Sequence, residues 1–204
     1  MTLERKIAKN LLEIEAVALR PNDYFTWTSG IKSPIYCDNR ITMSYPKIRR
    51  EIAAGLSEVI KKNFPEVEVV AGTATAGIPH AAWVSEVLDL PMIYVRDSAK
   101  KHGKTNQIEG RLLEGQKVVI IEDLISTGLS SLKVAKALEE AGAVVLGVVA
   151  IFSYELKKAQ DAFAADKVEY YTLTNYNYLI EEAVVSGYIK QEDVEKLLEW
   201  RNNL

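Results

Sequence analysis

At 204 residues and 48% hydrophobic content the chain can build one α/β unit with a substantial core, and its formal net charge of -3 argues against nucleic acid as the main partner. No stretch has the character of a membrane span or a secretory leader, because residues 1–20 are broken by charge every few positions; no membrane association is expected. Cys37 is the single cysteine, which excludes an intrachain disulfide and fits a reducing compartment, with the cytoplasm as the expected location.

Residues 3–19 place Leu3, Ile7, Leu11, Ile14, Val17 and Ala18 near helical spacing, which predicts an amphipathic helix ended by Arg20-Pro21-Asn22-Asp23. Residues 24–38 are rich in aromatic and β-branched side chains, with Ser29-Gly30 and Ser33-Pro34 as turns, and read as two short antiparallel strands. Residues 46–62 read as a second helix with Pro46 in its first turn. From there strands and helices alternate. Strands are expected at 67–71, 92–95, 117–121, 144–151 and 168–172, and a loop at 72–77 leads into a helix through Leu88. Further helices are expected over 132–141 and, after Asn175, over 193–200. Such alternation predicts βαβ units, hence an α/β fold with a doubly wound, mostly parallel five-stranded sheet flanked by helices. Residues 1–204 read as a single unit, with residues 1–45 forming a small N-terminal hood or flap.

The segment from Val118 to Ser131 is the most informative. Val118, Val119, Ile120 and Ile121 read as a strand buried on both faces. Glu122 and Asp123 follow at its C-terminal end, where parallel sheets place their ligands. Ser126, Thr127, Gly128, Leu129 and Ser130 then lead into a helix, offering hydroxyls and backbone N–H groups to a phosphate. An acid pair and a phosphate cradle about a sugar ring apart point to a sugar-phosphate site. The segment is neither a P-loop nor a dinucleotide fingerprint, since G-x-x-x-x-G-K-[ST] and G-x-G-x-x-G are both absent from it. Residues 96–110 form a long polar connection carrying Arg96, Lys100, Lys101, His102 and Lys104. Beside a sugar-phosphate site such a loop suits closure over a polyanionic leaving group; a solvated charged surface is the other reading.

Glu122 to Ser131 resembles the phosphoribosyl diphosphate (PRPP) motif of the type I phosphoribosyltransferases. Three more blocks narrow the likeness to the orotate branch of that family: the flap Phe25-Thr26-Trp27-Thr28-Ser29-Gly30-Ile31-Lys32-Ser33-Pro34-Ile35-Tyr36-Cys37-Asp38, the loop Gly72-Thr73-Ala74-Thr75-Ala76-Gly77-Ile78-Pro79, and Arg96-Asp97-Ser98-Ala99-Lys100-Lys101-His102-Gly103 with Ile108-Glu109-Gly110. The resemblance implies the type I phosphoribosyltransferase fold and an orotate phosphoribosyltransferase activity. That activity transfers the phosphoribosyl group of PRPP to N1 of orotate, giving orotidine 5′-monophosphate and diphosphate in pyrimidine (UMP) biosynthesis. It implies Lys100, His102 and Asp123 as catalytic residues. PRPP falls to Arg96, Lys100, His102, Glu122, Asp123, Leu124, Ile125, Ser126, Thr127, Gly128, Leu129 and Ser130, and its diphosphate to Thr73, Ala74, Thr75, Ala76 and Gly77. Orotate falls to Ser126, Tyr36, Cys37 and Lys32. Mg²⁺ is the implied cofactor, held mainly by PRPP with Asp123 nearby and no direct protein ligand assigned. The implied assembly is a homodimer in which the cationic loop serves the neighbouring site.

Departures from the family pattern stand at Thr28, Ala76 and Asp97, where relatives carry Lys, and at Tyr154, near where some use Arg towards the orotate carboxylate. His80, Trp27, Trp83 and Trp200 are expected to serve packing. Two alternatives remain: a purine-type phosphoribosyltransferase, against which the flap and the Lys-Lys-His-Gly run weigh, and a non-catalytic PRPP-sensing regulator, for which a basic DNA-binding region is expected and missing.

Overall fold

The structure is a computed structural model and describes residues 1–26, 30–97 and 107–204. Helix α1 (Leu3–Glu13) buries Ile7, Ala8, Leu11 and Leu12 on one face. It ends well short of the expected residue 19. Glu15 turns the chain with a left-handed φ of 58°, and Val17–Leu19 becomes strand β1. Val17–Leu19 has an antiparallel partner in Ile35–Cys37, and satisfying that backbone outweighs the helical spacing of its apolar residues. In place of the two strands expected over 24–38, the described residues form three: β2 (Phe25–Thr26), β3 (Lys32–Ser33) and β4 (Ile35–Cys37). β2 pairs with β3, whereas β4 pairs with β1; Pro34, which has no N–H to give a ladder, separates the two pairings. A 3-10 turn (Asn39–Ser44) leads into helix α2 (Pro46–Asn63), with proline at its start as expected.

The central sheet follows. Its elements are β5 (Val69–Thr73), α3 (Gly77–Leu88), β6 (Met92–Val95), β7 (Ile108–Glu109), β8 (Lys117–Ile125), α4 (Leu129–Glu140), β9 (Val144–Ser153), α5 (Lys157–Asp166) and β10 (Tyr170–Asn175). Helices α6 (Tyr176–Val185) and α7 (Val194–Asn202) complete the chain. Strand order is β10-β9-β8-β5-β6-β7, all parallel except the antiparallel edge pair β6–β7. Among the described residues the sheet therefore has six strands and not five. The extra strand is only two residues long and sits beside the polar connection, too short to leave a periodic signal.

Alternation along β8 explains the four-residue apolar run. Val119 and Ile121 join a core with α1, α2, α3 and α6, while Val118 and Ile120 join a second core with α4 and α5. β8 also runs to Ile125 instead of stopping at Ile121. Glu122, Leu124 and Ile125 remain paired with Ala150, Phe152 and Ser153 of β9, so the acid pair lies within the strand. Helix α4 likewise begins three residues earlier than the expected 132.

From β5 the chain crosses by α3 on one face, and from β8 it crosses by α4 on the other. Adjacent β5 and β8 thus send their following loops to opposite sides. That divergence opens a crevice at their C-terminal ends, the place where doubly wound sheets bind ligands.

Candidate active site

Glu122 is the linchpin of the crevice. It is 5% exposed, and its Oε1 accepts from the Asp123 backbone N–H at 3.0 Å. Its Oε2 accepts from the Ser130 and Ser131 hydroxyls at 3.2 and 3.1 Å, which ties the strand end to the first turn of α4. Burial, then the neighbouring Asp123 charge, pushes the Glu122 carboxyl up to about 8. Burial also raises Asp123. Two carboxyls side by side in a buried cleft share a proton near neutral pH.

Behind the acids, Gly128 adopts a φ of 79° at the N-cap of α4, and a Cβ there would lie 2.6 Å from the Phe163 ring. Only glycine meets both demands. The first turn of α4 carries no acidic residue and no side-chain cap, which leaves its N–H groups and positive dipole end for an anion. Ser126 and Thr127 are half-buried beside it; Leu129 and Ser130 are exposed.

Across the crevice, β5 carries Gly72 and Thr73, and the loop proper is reduced to Ala74, Thr75 and Ala76, with a cis Ala74–Thr75 peptide. Gly77 opens α3 so close to β8 that a Cβ would stand 2.4 Å from the Ile121 carbonyl oxygen. The small residue lets the two candidate phosphate loops approach. Thr73 Oγ1 is buried at this point and has no hydrogen-bond partner among the described residues.

The flap closes a third side. Burial pushes the Cys37 thiol well up, with the Asp123 and Asp38 charges adding to it, so Cys37 stays a neutral thiol beside the acids. Tyr154, 3% exposed at the end of β9, is raised by burial and then by Cys37, Tyr176, Asp123 and Tyr36. It therefore borders the acids and the flap together. Tyr36 is exposed and packs its ring 5.8 Å from Phe25. Lys32 Nζ donates to Thr26 Oγ1 at 2.8 Å across the β2–β3 hairpin.

Arg96 stands at the end of β6, 3.6 Å from Glu109, on the rim of a cavity of about 360 Å³ bounded by Asp97, Gln107, Ser130 and Lys133. This cavity lies beside the candidate phosphate cradle and not over the acid pair. Lys100 and His102 lie outside the described residues, as do Thr28 and Trp27. His80 is buried edge-on against Trp83, 5.4 Å between centroids, and burial lowers it to about 4, a neutral packing residue.

Two participants, Asn39 and Lys133, lie outside every motif, and a third, Ser131, stands in the Glu122 to Ser131 motif without an assigned role. Asn39, 1% exposed, donates from Nδ2 to the Asp123 carbonyl at 2.7 Å, fastening the flap's end to the acids. Ser131 joins Ser130 on Glu122. Lys133 donates to the Asp97 carbonyl at 2.6 Å, joining α4 to the strand end beyond β6. Of these, only Ser131 had a signal, its place at the end of the Ser/Thr/Gly turn.

Residues 44–186 match the model of the phosphoribosyl transferase domain. The orotate phosphoribosyltransferase of Enterococcus faecalis (strain ATCC 47077 / OG1RF) is 64% identical over 199 residues, 98% of this chain and 95% of that protein. Among solved structures, the Leishmania donovani UMP synthase superposes with a TM-score of 0.84 at 27% identity, covering 98% of this chain and 42% of that longer one. The orotate phosphoribosyltransferase from Aeropyrum pernix superposes with a TM-score of 0.77 at 28% identity, over 90% of this chain and 99% of its own. With two carboxyls on β8, a free helix end behind them and relatives of this closeness along nearly its whole length, the chain belongs to the orotate phosphoribosyltransferase family.

Proposed function

We propose that the crevice between β5 and β8 transfers the 5-phosphoribosyl group of PRPP to N1 of orotate. The N1–C1 bond forms as the C1–O bond to diphosphate breaks, with inversion, giving orotidine 5′-monophosphate for pyrimidine synthesis. The observation that carries this reading is Glu122, whose carboxyl joins Asp123 to Ser130 and Ser131 at the open end of α4. A ribose bound by the two acids then has its 5′-phosphate within reach of Ser126, Thr127, Gly128, Leu129 and Ser130, with Leu124 and Ile125 assigned to PRPP by resemblance.

The acids divide the work. Glu122, whose carboxyl burial pushes up to about 8, and Asp123 beside it hold the ribose hydroxyls. Asp123 also puts negative charge beside a ribosyl carbon that gains positive charge as the leaving group departs. Thr73 to Gly77 receive the diphosphate on one side; Arg96, with Lys100 and His102 assigned by resemblance, neutralises it on the other. Tyr36, Cys37, Lys32 and Ser126 surround the acceptor. The neutral thiol of Cys37 contributes shape and backbone, without nucleophilic chemistry.

Mg²⁺ fits this donor set. Two adjacent carboxyls, Glu122 and Asp123, stand in the crevice. A cation held mainly by phosphate oxygens and water would suit that arrangement, with Asp123 nearby to help position it. When bound, it supplies positive charge to the departing diphosphate. The working unit is a homodimer, in which Lys100 and His102 serve the neighbouring crevice, and the cytoplasm is its compartment.

Orotate loss followed by ultraviolet absorbance, with PRPP and Mg²⁺, tests the reaction, with adenine and xanthine as parallel acceptors. PRPP-dependent loss of orotate alone is expected. Turnover of a purine alone overturns the acceptor assignment, and PRPP binding without any turnover returns the regulator reading. For the dimer, mixing inactive Lys100→Ala and Asp123→Asn protomers should restore part of the activity. No recovery after demonstrated subunit exchange places each loop on its own site.

A further inference from the structure

Helix α7 bridges two parts of the crevice wall. On one side it is fixed to the ends of β9 and β10: Arg201 donates to Asn177 Oδ1 at 2.8 Å and stands 3.6 Å from Glu155, whose carboxylate also accepts from Asn175 and Asn177 at 2.9 and 2.7 Å. Glu155 directly follows Tyr154 and takes a left-handed φ of 55°, so this network sits at the bend that delivers Tyr154 to the crevice. The fully buried Tyr176 donates to the Leu197 carbonyl at 3.1 Å, and its ring lies 6.5 Å from Tyr154 and 6.2 Å from Trp200.

On its other side α7 grips the flap. The Trp200 indole N–H donates to the Lys32 carbonyl at 2.9 Å. Lys196 donates to Asn22 Oδ1 at 2.9 Å and lies 5.7 Å over the Tyr24 ring. Among the described residues the hairpin being gripped pairs Phe25 with Ser33 and Thr26 with Lys32. An isolated two-stranded hairpin is marginal alone, so its position depends on what it docks against.

We propose that Trp200 is a positioning residue for the acceptor: packed beside Tyr176 and bonded to the Lys32 backbone, it sets the distance between the flap and Tyr154 and thereby tunes orotate binding, while PRPP is held elsewhere. The inference rests on the flap being the orotate side of the crevice. Trp200 touches neither substrate; it acts through Lys32 on one side and Tyr176 and Tyr154 on the other.

Trp200→Phe keeps an aromatic ring beside Tyr176 and removes the N–H together with the second ring. Steady-state rates with orotate and PRPP varied separately should give an orotate KM raised about fivefold, the effect of one hydrogen bond, with the PRPP KM and Tm nearly unchanged. An unchanged orotate KM overturns the proposal. So does an equal change in both KM values accompanied by a lower Tm, which marks Trp200 as a stabilising residue only. Orotate turnover by the unsubstituted protein is measured first; its absence overturns the acceptor reading itself, and this proposal with it.

Discussion

β8 brings Glu122 and Asp123 to the crevice from the middle of the sheet, between β5 and β9, with helices covering both faces. The β2–β3 hairpin, at the edge of the flap, shows two residue pairs among the described residues, with Thr26 and Lys32 exposed. One wall is therefore as rigid as the core, and the other is placed by contacts with β1, α7 and the 3-10 turn. The difference matches what each wall must do. Charge development at a breaking bond needs groups that do not reorganise, whereas a flap over an acceptor has to admit and release it. Mutations on β8 should accordingly cost rate or stability, and mutations around the hairpin should cost acceptor affinity.

The largest expected effect is Asp123→Asn. Losing one charge-assisted contact to the ribose should lower kcat/KM for PRPP about 100-fold, with the fold intact because the Asn39 bond to its carbonyl is kept. Unchanged kinetics across a PRPP titration would remove Asp123 from the mechanism. Next is Gly77→Ala, which sets a Cβ against the Ile121 carbonyl oxygen. Overpacking of this kind should destabilise by about 2–3 kcal/mol and lower Tm by roughly 5–10 °C. A melting curve equal to the parent's would mean that α3 shifts freely along β8, contrary to a rigid wall.

A smaller effect depends on pH. Unfolded, Glu122 ionises near its ordinary 4.5, and folded, near 8. Between those values the folded chain holds a proton that the unfolded chain has lost, so this residue's contribution falls as pH rises from 4.5 to 8. Glu122→Gln removes the titration and keeps the shape. Its Tm relative to the parent should be level at pH 4 and climb towards pH 8, about 2–4 °C for each kcal/mol regained. A flat difference across pH would mean that the buried carboxyl is already ionised.

The two walls also differed in how well they could be read from the sequence. The β8 wall was legible because Val118 to Ile121 is a continuous apolar run and the acid, hydroxyl and glycine positions follow at short, fixed spacing. Even there the strand end was misread, because register with β9 carries Glu122 to Ile125 onward and no local residue announces a neighbour. The hood was less legible. Val17–Leu19 satisfies helical spacing and becomes a strand only because Ile35–Cys37 lies alongside. Asn39 and Lys133 act through main-chain carbonyls distant in sequence, a role that depends on position alone and leaves no motif. Trp200 looked like a packing residue, and its ring is one; its N–H is what meets the flap.

The smallest effect distinguishes which of α7's ties matter. Lys196 is exposed, and its bond to Asn22 and its place over Tyr24 are both open to solvent, where such contacts contribute a few tenths of a kcal/mol. Lys196→Ala should therefore move Tm by no more than about 1 °C and the orotate KM by less than about twofold. It holds the approach to the hairpin, not the Lys32 backbone that continues into Ser33, Tyr36 and Cys37. If Lys196→Ala raises the orotate KM as much as Trp200→Phe does, the flap is held by the whole face of α7, and its placement cannot be assigned to one indole.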